Sequence, residues 1–170
     1  MVNKVRFGIL ILLTNVMIVA CTTQDSATAV AIEQGTACSL DGMLLSDYPG
    51  PKAQIHYAGS NKPVFFCDTV EMFSMVLQPE ERRKIIGVFT QDMGKADWNK
   101  PRGNWIDARS AYYVYGKKVI GSMGPTYASF ASKDDAERYA NKFHGKVVQF
   151  KDVTADMADL RGGAKHDHAM

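Results

Sequence analysis

The sequence predicts an α+β fold of two similar small halves, each running strand, turn, strand, helix, strand. Three observations carry this expectation. A helix signal occurs twice, with Asp68 ahead of an apolar run at 69–77 and Ser132 ahead of an amphipathic run at 133–143. Each helix follows two short β-prone runs and precedes a third. Turn residues recur at matching places, with Tyr57-Ala58-Gly59 set against Val114-Tyr115-Gly116. Aligned this way, Phe73 falls on Phe130, and Val88-Phe89 on Val148-Gln149-Phe150. Cys67 then falls beside Met123, at the end of the second strand of each half. The pattern is that of a diverged internal duplication.

The chain opens with Lys4 and Arg6 and continues in an apolar run from Phe7 to Val19. A basic start and an apolar stretch too short to span a bilayer predict an export signal over residues 1–20. Its end, Ile18-Val19-Ala20-Cys21, resembles the bacterial lipoprotein signal, which implies lipidation of Cys21. Thr22 follows in place of Asp, which by the same resemblance favours the outer membrane. Basic residues outnumber acidic ones 20 to 18, and Lys4 and Arg6 account for the whole excess. The chain beyond residue 20 is therefore neutral, with no basic patch for nucleic acid. Membrane attachment has to come from the lipid.

Residues 21–35 are mostly small and polar, the composition of a poorly ordered tether. The domain is expected over 36–155, with halves at 36–95 and 104–155, and a flexible tail over 156–170. It begins with Cys38-Ser39-Leu40-Asp41-Gly42-Met43, in which Asp-Gly predicts a two-residue hairpin turn. That register sets Cys38 opposite Leu45 and leaves Met43 diagonal to Cys38 on the same face. Tyr48-Pro49-Gly50-Pro51 breaks the chain. Strands are expected at 54–57 and 63–67, a helix at 69–77 with Asp68 as N-cap, and a strand at 87–90. A polar loop at 91–103 leads to the second half. There a strand centred on 111–115 meets a turn at Gly116-Lys117-Lys118, followed by a strand at 119–122. Met123-Gly124-Pro125 breaks it, and 127–130 continues extended. The helix from Ser132 to Phe143 is the clearest element. Ala136, Tyr139, Ala140 and Phe143 form its apolar stripe, and Gly145 is expected to close it. A last strand is expected at 146–150.

The residues that suggest chemistry are sulfur donors. Cys38 and Met43 put a thiol and a thioether on one face, and soft sulfur ligands suit Cu(I). Met123 sits in Gly121-Ser122-Met123-Gly124-Pro125, a long apolar side chain in a loop, where binding residues are common. Met72 and Met75 have helical spacing and are expected in the core. Cys67 leaves alternatives open: a disulfide with Cys38 in an oxidising compartment, a ligand, or neither. His144 is expected to be structural at a helix end. His166, His168 and Met170 lie in the tail. Trp98 and Trp105 mark either a partner surface or a small satellite core. Asp107 and Arg109 beside Tyr112 have no nucleophile–base spacing, and no phosphate loop or nucleophile elbow is present. The sequence is read as that of a non-enzyme.

Taken together, these segments resemble the NosL family, accessory lipoproteins of nitrous-oxide reductase assembly. The resemblance rests on the signal ending at Cys21, on Cys38 to Met43, and on Val64-Phe65-Phe66-Cys67-Asp68. It extends to Asp107-Ala108-Arg109-Ser110-Ala111-Tyr112-Tyr113-Val114, to Gly121 through Pro125, and to Phe130 through Ala136. It implies a periplasm-facing, lipid-anchored Cu(I) chaperone of denitrification. Its partners would be nitrous-oxide reductase and the maturation machinery, including a membrane transporter. It also implies two α+β halves with likeness to organomercurial lyase. Carried over by position, Cys38, Met43 and Met123 are the candidate metal ligands. The alternatives are an organometal-handling enzyme and a metal-free envelope lipoprotein with a Cys38–Cys67 disulfide.

Overall fold

A computed structural model describes residues 26–160. The signal over 1–20, Cys21 and the His166/His168/Met170 tail lie outside the described residues. The first half consists of β1 (Ala53–Tyr57), β2 (Val64–Phe66), α1 (Thr69–Val76), β3 (Ile85–Gln91) and β4 (Trp105–Asp107). The second consists of β5 (Tyr112–Ile120), β6 (Pro125–Phe130), α2 (Lys133–Phe143) and β7 (Lys146–Gln149). The two sheets are antiparallel and run in the orders β2-β1-β3-β4 and β6-β5-β7. Each half is thus strand, strand, helix, strand with its first strand in the middle, as the duplication predicts. β4 is an extra edge strand on the first sheet.

Both helices start where a side chain satisfies the free N–H groups of the first turn. Asp68 accepts from the backbone N–H groups of Val70 and Glu71, and Ser132 accepts from that of Asp135. The end of α2 differs from expectation. His144, not Gly145, takes the left-handed conformation (φ 55°). Gly145 is small for another reason, since a Cβ there would lie 2.6 Å from Val114 Cγ1 and 3.0 Å from Tyr115 O. Gly145→Ala is therefore expected to destabilise the protein by about 1–3 kcal/mol through overpacking. A lowered thermal midpoint would show it, and an unchanged midpoint would contradict it.

The same close approach explains the largest departure in the second half. Gly116-Lys117-Lys118 does not turn. β5 runs through it, and Gly116 is the place where the strand passes over Gly145, with a Cβ at 116 only 3.0 Å from Gly145 Cα. The hairpin turn lies instead at Gly121–Gly124, closed by Gly121 N–H to Gly124 O (2.7 Å). This corrects the alignment of the halves. Cys67, just ahead of N-cap Asp68, corresponds to Ala131 ahead of N-cap Ser132, and Phe66 corresponds to Phe130. Met123 is in the β5–β6 turn and has no sulfur counterpart in the first half.

One core crosses both halves, with Ile55, Phe66, Met72 and Phe73 meeting Tyr113, Tyr127, Val153 and Ala158. The outer edge of β6 is covered by the first half. Tyr127 donates its N–H to Thr69 Oγ1 and accepts the Thr69 hydroxyl at its carbonyl (3.2 and 2.6 Å). Further along, Ser129 O accepts Met93 N–H (2.8 Å), and Ala131 N–H reaches Asp92 Oδ1 (3.1 Å). Residues 127, 129 and 131 are the alternate positions of an edge strand, so the buried edge is satisfied without another strand. Trp98 stacks on Tyr139 in the smaller core of the second half, which resolves its role toward packing.

The folded part extends past the expected limits at both ends. Val30 exchanges two hydrogen bonds with the Gln54 side chain, and Ala158 is buried in the main core beyond residue 155. Among the described residues, no helix is long and apolar enough to cross a membrane.

Candidate metal centre

Cys38 begins a loop that folds back on Met43. Cys38 N–H donates to Met43 O (2.8 Å), Gly42 N–H donates to Cys38 O (3.0 Å), and Ala37 bridges Leu44. The register is shifted by two residues from the expected Asp-Gly hairpin, so Cys38 directly faces Met43 rather than Leu45. The reason lies in the turn. A two-residue hairpin needs positive φ at both central positions. Here only Gly42 adopts it (φ 78°), while Asp41 uses its carboxylate to accept Met43 N–H (2.9 Å). Ser39 N–H then donates to Phe65 O (2.9 Å), which fixes the loop against β2. Cys38, Leu45 and Cys67 are buried together, with Met43, Phe65 and Tyr48 packed around them.

Cys67 lies between β2 and α1. Glu71, in the first turn of α1, points back toward it. Its Oε2 accepts Cys67 N–H (2.8 Å) and lies 3.0 Å from Cys38 Sγ, close enough to share one proton with it. This is a variant of the capping box, displaced one residue toward the strand. The two sulfurs and a Glu71 oxygen all lie within 4.8 Å of one another, and both thiols are free. Beneath them Lys52 is buried, 1% exposed. Its Nζ donates to the carbonyls of Tyr48, Pro49 and Cys67 at 2.8, 3.0 and 2.9 Å, which uses all three ammonium hydrogens.

These contacts set the charges. The hydrogen bond from Cys67 does most to lower the Cys38 thiol, and Glu71 adds to it, bringing Cys38 down to about 6 against the opposing effect of burial. Cys67, as the donor to that thiolate and itself buried, is pushed far up. Burial raises the Glu71 carboxyl to about 9, helped by its contact with Cys38. Burial also lowers the Lys52 ammonium, opposed by the charges of Cys67, Asp68, Glu71 and Cys38. The neighbours thus favour ionisation at Cys38, while burial and contact with Cys38 favour the protonated forms of Cys67 and Glu71.

Met123 comes from the second half. Asp68 caps α1 with Oδ1 and uses Oδ2 to accept Ser122 N–H and Oγ–H (3.2 and 2.7 Å). The loop carrying Met123 is thereby pinned to the residue after Cys67. Gly121 permits this close docking, because a Cβ would lie 2.7 Å from Thr126 Cγ2 and 2.9 Å from Asp68 Oδ2. The Met123 side chain is 60% exposed. Of the sequence-predicted ligands, Cys38 and Met43 face each other, and Met123 stands on an adjoining loop, open to solvent.

Glu71 and Lys52 were not among the sequence candidates. Asp68 and Glu71 have the spacing of a capping box, which was a usable signal for Glu71. Nothing around Lys52 marked it as buried. His56 contacts Gln54 Oε1 (2.8 Å) and the edge of Phe89. Asp107 accepts the N–H groups of Arg109 and Ser110, so that trio builds a turn.

Comparison with known proteins gives consistent matches. The NosL family model matches residues 29–158. The chain is 40% identical over 152 residues to the copper-binding lipoprotein NosL of Stutzerimonas stutzeri, covering 86% of this chain and 78% of that protein. It is 34% identical over 162 residues to the copper-binding lipoprotein NosL of Achromobacter cycloclastes, covering 91% and 83%. The crystal structure of the copper chaperone NosL from Shewanella denitrificans superimposes with a TM-score of 0.71 at 35% identity, over 76% of this chain and 97% of that one.

Proposed function

The chain belongs to the NosL family, and from that premise we propose that it is a lipid-anchored, periplasm-facing chaperone that carries Cu(I) for maturation of nitrous-oxide reductase. Lipidated Cys21 would anchor it at a membrane, with Thr22 favouring the outer one. Copper is the cargo. It passes by ligand exchange to the maturation machinery, with its membrane transporter, and to the reductase, and no bond of a substrate is broken.

The observation that supports this reading most is the Cys38 thiol, buried in a cluster with Cys67, directly facing Met43, and with its ionisation favoured by its neighbours. A thiolate is the form that binds metal, and thioethers complete a soft, low-coordinate site. Cys38 is the anchor and Met43 the neighbouring thioether. Met123, exposed on a loop tied to Asp68, would be the ligand that an incoming acceptor displaces. A closed four-ligand site would oppose such transfer.

Anaerobic titration of the reduced protein with Cu(I) against a chromogenic chelator tests the proposal. Tight, stoichiometric binding is expected. Binding no stronger than about micromolar, roughly −8 kcal/mol, would rule out the chaperone role.

A further inference from the structure

We propose that Cys67 is a second thiolate ligand, so that loaded Cu(I) sits between two cysteine sulfurs, Cys38 and Cys67, with Lys52 balancing the charge of the complex. This rests on the chaperone reading and assigns the inner part of its site. A metal–thiolate bond of about 2.3 Å allows one ion to bridge sulfurs up to roughly 4.6 Å apart. The two sulfurs lie within 4.8 Å of each other, near enough for one ion to bind both. They arrive from separate segments, one from the loop before β1 and one from the β2–α1 junction, and each is fixed by backbone hydrogen bonds. Cys38 is held by Met43 O, and Cys67 by the Glu71 carboxylate below and the Lys52 ammonium at its carbonyl. Sulfurs held this way need no ordering when the ion binds.

The charge count agrees. With both cysteines bound as thiolates, one Cu(I) leaves a complex that carries one negative charge. A net charge buried at this depth needs a partner. Lys52 is that partner: it is a buried cation with every hydrogen committed to carbonyls around the cluster, including that of Cys67 itself. α1 begins two residues past Cys67, and its N-terminal end adds a favourable field for the anion. Glu71 is the third group within reach, but a carboxylate is a hard ligand and Cu(I) a soft ion. Glu71 therefore stays the hydrogen-bond acceptor of Cys67 N–H. Met43 and Met123 serve on the solvent side, where copper enters and leaves.

The test is Cu(I) titration of the full chain, reduced and without oxygen, together with X-ray absorption at the copper edge. Cys67→Ser, close to the same size, is compared with the unaltered protein, and circular dichroism checks its fold. Cys67→Ala serves if the serine variant does not fold. The expected result is that affinity falls by more than about tenfold and that the short copper–sulfur scatterers drop from two to one. Tight binding by the unaltered chain together with unchanged affinity and scattering in Cys67→Ser would overturn the role of Cys67 and leave the chaperone reading standing. Failure of the unaltered chain to bind would remove both.

Discussion

Cys38→Ala is expected to abolish tight Cu(I) binding, with a loss of more than about a hundredfold in affinity. Altering a mere partner of a ligand already costs 10–100-fold, and Cys38 would be the anchoring ligand itself. The loss comes from removing the anchoring sulfur, which leaves Cys67, with its thiol directed at Met43 O (3.8 Å), as the remaining member of the buried pair. The fold should survive, because the Cys38 backbone bonds to Met43 and the docking of Ser39 on Phe65 do not depend on the side chain. An unchanged circular dichroism spectrum with lost chelator competition is the expected pair of results. Retained tight binding would show that the copper site lies elsewhere.

The same cluster shows where sequence reasoning succeeds and where it stops. Asp68 and Ser132 are legible as N-caps because capping is local, a side chain bonding to amides two or three residues on. The β-β-α-β order of each half is legible for a similar reason. The register of Cys38 is not, because Asp-Gly is compatible with more than one turn, and the choice is made by the Asp41 carboxylate and the docking of Ser39 on β2. Gly116 carries the same ambiguity. A glycine followed by two lysines predicts a turn, and only the tertiary approach of Gly145 shows that it serves close packing. Lys52 lies furthest from sequence. A lysine is almost always at the surface, and this one is buried only because the carbonyls of the nearby Tyr48-Pro49 pair and of the more distant Cys67 converge on its Nζ. The thiols were visible in the sequence. The charges that tune them were not, since they are assembled by contacts across the fold.

Phe73→Ala is expected to cost about 3–5 kcal/mol of stability, a large share of the roughly 5–15 kcal/mol a domain holds. Phe73 is fully buried on α1, and its ring meets Tyr113, Tyr127 and Phe150 at centroid distances of 5.0, 5.2 and 5.1 Å. All three partners belong to the second half or the segment that follows it, so the ring is an apolar joint between the halves. Truncation leaves a cavity that rigid aromatic neighbours cannot close, which places the cost toward the upper end of the range. The hydrogen bonds of Thr69 with Tyr127 cross the same junction and depend on the same helix position. The two halves should therefore unfold in one transition at lower denaturant, followed by near-ultraviolet circular dichroism. Phe73→Leu, which refills much of the volume, should lose far less. An unshifted midpoint for the second half would mean that the halves are independent. That result would also bear on the metal site, because only a rigid junction keeps the Met123 loop, pinned through Ser122 to Asp68, beside the cysteines of the first half.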